Sequence, residues 1–410
     1  MPILSPPSHR LQCVCFLVAF LSCSITASRF AAGQWVRHTI DNIGKGADGV
    51  RLQDVDGDGL EDIVTGWEES GHICIYFHPG PAQVKTNWPR VVVGQQASVE
   101  DAFASDLNGN GINEIISCHE GATMKVFVHR FRPPKGRNAT RKDWLDSDRW
   151  SSASIRSCDG VSRWMYGIPV RKHGKLAGVA LGSKSPRGQV SLLVADSSKR
   201  IEDWKLQRLQ PAGWIMSIMA IDMDQDGAQD LVVSDRKGKH RGVYWLRQPP
   251  LDQPQVVSEP RMPWPLHKVG GAKSEVMYLG ATPNEIVAAA RGGTSLRFAK
   301  DQDGSWRESK WSNPFGLNAG KAVRRLGDSQ SYVFSANTGV NAKDQRKPGV
   351  VIGSPTNPSL LVNVSGKEGV KFDRIEVRDL DHDGDLDIIT CEEVDNLGVF
   401  WYENPGLDLF

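Results

Sequence analysis

The chain has 410 residues and a formal net charge of +1, with 49 Lys and Arg against 48 Asp and Glu. This balance excludes a global electrostatic field that would attract nucleic acid, and no apolar run reaches the about 18 residues that a membrane span needs. The length suits two or three ordinary domains or one large β architecture.

The first 28 residues are predicted to be a secretory signal peptide. His9 and Arg10 precede the apolar run Leu11–Leu21, and small residues follow as far as a cleavage point after Ser28. A buried N-terminal helix is one alternative. A lipoprotein cleaved before Cys23 is another, although Phe-Leu-Ser is a poor signal for that cleavage. We expect a secreted, periplasmic or cell-surface protein without a membrane span in the mature chain.

The predicted mature chain keeps four cysteines, Cys74, Cys118, Cys158 and Cys391. They are too few for a disulfide scaffold at this length, so we expect at most one pair. No Cys-x-x-Cys spacing indicates a metal site.

A nine-residue acidic loop appears at Asp54–Asp62 and recurs three times along the chain. Oxygen donors occupy positions 1, 3, 5 and 9, with glycine at position 6 and a backbone carbonyl at position 7. Such donors suit Ca²⁺, which takes about 6–8 oxygen ligands. The predicted metal ligands of the first to fourth acidic loops are Asp54, Asp56, Asp58 and Asp62; Asp106, Asn108, Asn110 and Glu114; Asp222, Asp224, Asp226 and Asp230; and Asp379, Asp381, Asp383 and Asp387. A solvated turn would explain one copy, but four copies favour bound ions.

Short apolar segments and alternating segments follow each acidic loop, which predicts β-strands. Six tryptophans each open a further strand-like segment: Trp35, Trp88, Trp150, Trp204, Trp264 and Trp306. The spacing of these tryptophans indicates three more repeat units, which lack the carboxylates of the acidic loops. We therefore predict seven units of four strands in a single domain from residue 34 to residue 410.

The position of Trp35 predicts how these units are arranged. It opens an outer strand before any first strand exists, whereas the chain ends just after a third strand. The N-terminal strand should therefore complete the last blade of an all-β, seven-bladed β-propeller. Closing the ring leaves only short, protected sheet edges. A linear β-solenoid is the alternative, but it does not explain the orphan first strand.

Acidic loops followed by short apolar strands resemble the FG-GAP and VCBS repeats, including the propeller of integrin α-chain heads. The resemblance covers residues 34–410 and is carried by DVDGDGLED, DMDQDGAQD and DLDHDGDLD, and less fully by DLNGNGINE. It implies three to four structural Ca²⁺ ions in the loops between the first two strands of a blade. The second loop has only two carboxylates, so we expect it to bind most weakly. The family includes adhesins, binding modules and enzyme domains, so no single activity is implied.

In an up-and-down blade the acidic loops lie on one face, which leaves the opposite face as the candidate ligand site. Turns there are acidic in blades seven, one and two and basic in blades three to six. The acidic set is Glu68, Glu69, Glu120, Glu392, Glu393 and Asp395, beside Trp67 and His119; the basic set is Lys184, Arg187, Arg236, Lys237, Lys239, His240, Arg241, Arg291, Lys343, Arg346 and Lys347. Trp164, Tyr166 and Trp214 extend this surface or pack between blades. Solvated turns are the alternative, but the segregation by blade favours an anionic sugar polymer.

Two functions follow, and the absence of Gly-x-Ser-x-Gly and His-Glu-x-x-His motifs favours the first. The first is a secreted, calcium-stabilised binding module for an extracellular anionic glycan or partner protein. Its candidate ligand-binding residues are Trp67, Glu68, His119, Glu120, Arg236, Lys237, Arg291, Glu392 and Glu393. The alternative is a sugar lyase or dehydratase at the channel mouth, with His119 and Glu120 as candidate catalytic residues. The basic insert Arg132–Asp148 is predicted to be a solvated loop on the calcium side, with polyanion contact as its alternative.

Overall fold

The computed structural model describes residues 1, 34–196, 200–249, 264–291, 294–312, 320–327, 330–336, 349–354, 356–357 and 359–406. The predicted signal segment therefore lies almost wholly outside the described residues, as do Lys343, Arg346 and Lys347. Within the described part, no helix has the length and apolarity that crossing a membrane requires.

The described residues form seven four-stranded antiparallel sheets around a common axis, which is a seven-bladed β-propeller. We label the strands of each blade A to D from the axis outwards. Each A strand packs on the A strand of the next blade, and the last packs on the first.

Blades one to three contain β2 (Ala47–Gln53), β3 (Asp62–Trp67), β4 (His72–Tyr76) and β5 (Arg90–Gln95); β6 (Val99–Ser105), β7 (Glu114–His119), β8 (Lys125–Phe131) and β9 (Trp150–Ser154); and β10 (Arg163–Lys172), β11 (Lys175–Lys184), β12 (Gln189–Val194) and β13 (Lys205–Pro211). Blades four and five contain β14 (Ile215–Ile221), β15 (Asp230–Asp235), β16 (Gly242–Leu246) and β17 (Leu266–Gly270); and β18 (Val276–Ala281), β19 (Glu285–Ala290), β20 (Thr294–Lys300) and β21 (Trp306–Ser312). Blades six and seven contain β22 (Gly320–Arg325), β23 (Tyr332–Ala336), β24 (Val350–Gly353) and β25 (Leu361–Asn363); and β26 (Phe372–Arg378), β27 (Asp387–Glu392), β28 (Gly398–Glu403) and β1 (Val36–Asp41). The described helical segments are α1 (Arg141–Trp144) and the single 3₁₀ turns Pro81–Gln83, Ser147–Arg149, Arg156–Cys158 and Ile201–Asp203.

The first strand closes the ring, as its orphan position in the sequence predicts. β1 pairs antiparallel with β28, from Val36 opposite Glu403 to Asp41 opposite Val399. The His38 Nε2 and Glu403 Oε2 atoms lie 2.6 Å apart across this pair. The propeller therefore joins strands from the two ends of the described domain in a single blade.

The tryptophan spacing also predicts the outer strands correctly. The six tryptophan segments form the D strands β1, β5, β9, β13, β17 and β21, and the units without acidic loops are blades three, five and six. These indoles cap the outer strands: Trp88 Nε1 donates to the Val84 carbonyl at 3.0 Å, and Trp150 Nε1 donates to the Trp144 carbonyl at 3.1 Å. Burying an indole at a strand start fixes the outer edge of a blade.

The four cysteines of the described domain are free and buried between or within blades. Cys118 and Cys158 belong to one apolar cluster with Trp164 and Trp204. Burial raises the pKa of all four thiols well above their ordinary value, to about 12 for Cys74. These side chains therefore act as small apolar core residues.

Ring closure can be tested by removing residues 34–41. We expect a loss of several kcal/mol and a fall in melting temperature of roughly 10 °C, because buried Trp35 and Ile40 are lost and the β28 edge is exposed. Thermal unfolding followed by circular dichroism measures the change. Val36→Ala, at a position that is 49% exposed, is the control and should change little. Equal melting of the two variants would mean that closure contributes nothing.

Candidate functional site

The four acidic loops connect strands A and B of blades one, two, four and seven, and so lie on one face of the ring. Three of them bring three carboxylate oxygens within 4.8 Å of one another: Asp54, Asp56 and Asp58; Asp222, Asp224 and Asp230; and Asp379, Asp381 and Asp387. Oδ1 of Asp56 and Oδ1 of Asp381 are buried and accept no hydrogen bond. Buried carboxylate oxygens without donors fit the coordination of an oxygen-preferring cation.

The last carboxylate of three acidic loops also anchors the loop to the chain just after strand C. Asp62 accepts from the backbone N–H groups of Val55 and His78, each at 2.9 Å, and Asp387 accepts from those of Leu380 and Asn404 at the same distance. Burial raises the pKa of Asp62 and Asp387 to about 7. These side chains therefore hold the loop in shape as well as offering ligand oxygens.

Each of the three clustered loops also contacts a cation of the protein itself. Arg141 lies 2.9 Å from Asp56 and 2.6 Å from Asp58. Arg247 pairs with Asp224 and Asp226 in the third acidic loop, and Lys85 lies 3.2 Å from Asp381 in the fourth. These cations offset the repulsion among the carboxylates, so a calcium ion would have to share or displace their contacts.

The second acidic loop is built differently. Asp106 accepts hydrogen bonds from the backbone of Gly109 and Gly111, as Asp54 does in the first loop, but here the Asn108 amide donates to Glu114. An amide donor thus points at the carboxylate that an ion would need. No three-carboxylate cluster forms in this loop among the described residues, so its fit to calcium is the poorest of the four.

On the opposite face, a cavity of about 270 Å³ lies at the mouth of the central channel. Its lining comes from six of the seven blades and from the connection between strand D of blade six and strand A of blade seven. The lining residues are Asp48, Glu68, Glu100, Glu120, Met165, Tyr166, Lys184, Trp214, Met216, Arg236, Met277, Arg291, Lys321 and Lys371. A shallower space of about 450 Å³ lies beside the second acidic loop, but it gathers side chains from only two blades.

The floor of the mouth cavity is a ring of side chains from the starts of the A strands. In every blade the pairing of A with B is irregular near that start, at a bulge. We define the inner ring by the residue that follows the first paired position of strand A or, in blade three, the second paired position, where Trp164 lies opposite Ser183. Its members are Asp48, Glu100, Met165, Met216, Met277, Lys321 and Asp373.

A second ring, the mouth ring, stands at the ends of the B strands. It contains the residue just after the strand B partner of that same paired position, with residue 337 of blade six outside the described part. Its described members are Glu68, Glu120, Lys184, Arg236, Arg291 and Glu393. The first five line the cavity, so the structure brings four of the predicted ligand residues together there: Glu68, Glu120, Arg236 and Arg291.

Three other predicted ligand residues, Trp67, His119 and Glu392, lie one position away and pack into the walls, because successive side chains of a strand point to opposite faces. Trp67 is 1% exposed and donates to the Tyr76 hydroxyl. Glu392 is fully buried and accepts hydrogen bonds from the backbone of Val370 and Lys371. The structure therefore does not bring these two side chains to the cavity. Of the three aromatic residues expected to extend this surface, Trp164 and Tyr166 lie in strand A of blade three and Trp214 lies in a D–A connection. Trp164 is buried, whereas Tyr166 and Trp214 line the cavity.

His119, the predicted catalytic base, is also fully buried in the wall. Its Nδ1 donates to the Ala97 carbonyl at 2.9 Å, so its Nε2 accepts from the Ser117 hydroxyl at 2.8 Å. Burial lowers the pKa of His119 to about 4. Both ring nitrogens are engaged away from the cavity, so the structure contradicts the assignment of this imidazole as a base at the channel mouth.

Cations surround the indole of Trp214 at the edge of the cavity. The distances to its ring centroid are 4.8 Å from Lys184 Nζ, 4.5 Å from Arg236 Cζ and 5.0 Å from Lys237 Nζ. Arg236 and Arg291 also share the carboxylate of Glu275, at 2.8 and 3.7 Å. The Trp214 indole thus holds cations at the mouth through cation–π contacts.

The carboxylates of the cavity have perturbed pKa values. Burial raises the pKa of Glu100 to about 7, although Lys184 at 3.7 Å opposes the shift. Burial, together with Asp373 and Glu100, raises the pKa of Asp48 well above its usual range. Asp373 differs, because Lys321 and Lys371 hold its pKa below the ordinary value in spite of burial.

Five charged residues at the mouth were not predicted from the sequence: Asp48, Glu100, Lys321, Lys371 and Asp373. Four belong to the inner ring and Lys371 precedes the first residue of β26. Lys371 pairs with Glu393, so blade seven is not purely acidic at this face. The signal that could have found them is positional: each inner-ring residue follows the first residue of an A strand or lies close behind it.

The basic insert Arg132–Asp148 connects strands C and D of blade two on the face of the acidic loops, as predicted. It is more than a solvated loop. Trp144 stacks on Phe131 with ring centroids 3.8 Å apart, and Arg141 reaches the first acidic loop. The insert therefore braces blade one against blade two.

No family model matches the sequence, and no curated protein sequence matches it. Among solved structures, the chain is similar to BBS1N in the crystal structure of its complex with ARL6DN, with a TM-score of 0.53 and 11% identity over 91% of this chain and 97% of that one. It is also similar to the WD40 β-propeller domain of Doa1, with a TM-score of 0.51 and 12% identity over 92% of this chain and 98% of that one. At such identities the likeness shows the propeller fold alone.

Buried His119 gives a test by pH. Its folded pKa of about 4 lies below the ordinary 6.5, so the unfolded chain binds the proton more readily and stability is lost as pH falls between these values. His119→Gln should lower stability at neutral pH but flatten this loss by up to about 3 kcal/mol. Urea unfolding at several pH values measures it, with His173→Gln at an exposed position as the control. An unchanged slope would contradict the buried, neutral imidazole.

Proposed function

We propose that the chain is a secreted, calcium-stabilised β-propeller of the FG-GAP and VCBS type that binds an anionic glycan at its channel mouth. The observation that carries this proposal is the set of cations, Lys184, Arg236 and Lys237, gathered around Trp214 at the edge of the mouth cavity. Within the described part, no ion pair engages Lys237, and Arg291 is half exposed. This side of the mouth is therefore open to an anion.

The composition of the cavity favours a sugar acid over a simple anion. Its volume of about 270 Å³ is just below the range of about 300–1,000 Å³ typical of small-molecule pockets, which suits one sugar unit. In the same cavity, the carboxylates of Glu68 and Glu100 can accept hydrogen bonds from hydroxyl groups. A uronate unit presents both a carboxylate and hydroxyls.

A sugar lyase remains the second candidate, because one group at the mouth has the property that a base needs. Glu100 lines the cavity with a pKa of about 7, beside Lys184. A base with such a pKa is matched to proton abstraction near neutral pH. On this hypothesis Glu100 takes the role that the sequence analysis gave to His119, and Arg291 neutralises the uronate.

Binding can be tested with uronate oligosaccharides and neutral oligosaccharides in calorimetric titrations. We expect Lys237→Ala/Arg291→Ala to weaken uronate binding at least about tenfold, because each charge-assisted contact contributes roughly 1.5–3 kcal/mol. Lys135→Ala/Lys142→Ala removes the same charge on the opposite face and should leave affinity unchanged. Equal losses in both variants would mean non-specific attraction. Ultraviolet absorbance of unsaturated products in the same mixtures reports lyase activity, which Glu100→Gln should abolish.

Calcium in the acidic loops is the structural part of the proposal. At calcium around ten times Kd, each site adds about 1.4 kcal/mol, so three sites add about 4 kcal/mol. A chelator should therefore lower the melting temperature, and Asp379→Asn/Asp381→Asn should remove about a third of that difference. Glu61→Gln, outside the ion-binding positions, is the matched control. If chelation leaves melting unchanged in the unaltered protein, the loops do not act as calcium staples.

A further inference from the structure

The mouth cavity holds a second kind of carboxylate cluster, formed by Asp48, Glu68 and Glu100. One oxygen from each of these side chains lies within 4.8 Å of the other two. Asp48 and Glu100 are adjacent members of the inner ring, and Glu68 belongs to the mouth ring above them. All three line the cavity.

Asp48 provides a second, independent observation that points to a ligand at this cluster. The side chain lines the cavity, is 4% exposed, and its Oδ1 atom is buried without a hydrogen-bond partner. A buried carboxylate oxygen without a donor or a cation is strongly unfavourable. A cation that enters the cavity from outside the protein would give this oxygen the partner that it lacks.

The neighbouring lysines do not supply it. Lys321 pairs with Asp373, and Lys371 pairs with Glu393 and lies 3.7 Å from Asp373. Lys184 pairs with Glu120 and lies 3.7 Å from Glu100. In the described part of the chain no ion pair reaches Asp48 or Glu68.

We infer that Asp48, Glu68 and Glu100 form a binding site for one divalent cation that prefers oxygen ligands, such as Ca²⁺ or Mn²⁺. The cluster contains carboxylates alone, and such donors suit hard cations. Three protein ligands leave coordination positions open toward the cavity for water or for an oxygen of a bound molecule. This site is separate from the acidic loops, which lie on the opposite face.

The number of bound ions tests this inference directly. Native mass spectrometry of the whole folded protein, titrated separately with Ca²⁺ and with Mn²⁺, should show one ion fewer for Asp48→Asn/Glu100→Gln than for the unaltered protein. Glu61→Gln/Glu368→Gln neutralises two acids that pair with arginines at the surface and should keep every ion. Combining the mouth substitutions with Asp379→Asn/Asp381→Asn should remove two ions, because separate sites lose ligands independently.

The inference is overturned if the mouth variant and the unaltered protein bind the same number of both ions. If the double variant does not fold, Glu68→Gln takes its place, because this half-buried side chain is less important to the core. This substitution should weaken the binding of one ion at least about tenfold, since fewer ligand charges weaken binding. Unchanged affinity in that variant would equally overturn the site. Both results are independent of glycan binding.

Discussion

The pairing of β1 with β28 is the constraint on which the rest of this molecule depends. It joins strands that are more than 350 positions apart and thereby closes seven sheets into a ring. In a closed ring, every A strand must begin at the same end of the channel. Side chains from six blades can then line one cavity of about 270 Å³.

Strand alternation decides which residues reach that cavity. At the end of β7, His119 points into the wall and Glu120 points to the mouth; at the end of β3, Trp67 and Glu68 divide in the same way. A one-residue difference therefore separates a core side chain from a site side chain. At the bulge near the start of each A strand, the inner-ring side chains, which include Asp48 and Glu100, turn into the channel.

The architecture could be predicted from the sequence because the repeat places recognisable residues at fixed points of a blade. Trp88 and Trp150 mark outer strands, and Asp54 to Asp62 marks an A–B loop, so the number of blades, the closing strand and the two faces were all predictable. The inner ring was not predictable in this way. Its positions hold an acid, a methionine or a lysine according to the blade, so no single residue type marks all seven positions. Their convergence is a tertiary property, as is the burial that engages both nitrogens of His119.

The two faces differ in which charged and hydrogen-bonding groups lie beside their carboxylates. In the acidic loops the carboxylates follow one another along the chain, backbone N–H groups fix them, and Arg141, Arg247 and Lys85 lie among them. At the mouth, Asp48, Glu68 and Glu100 come from two blades, and one buried oxygen has no partner. Both sets keep buried oxygens without a partner, on Asp56 and Asp381 in the loops and on Asp48 at the mouth. Cations of the protein lie beside the loop carboxylates, whereas among the described residues no ion pair offsets Asp48 or Glu68, so the mouth carboxylates are the less balanced set. Because a cation bound there would remove that imbalance, binding at the mouth should stabilise blades one and two together, and the fold itself would then report occupancy of the site.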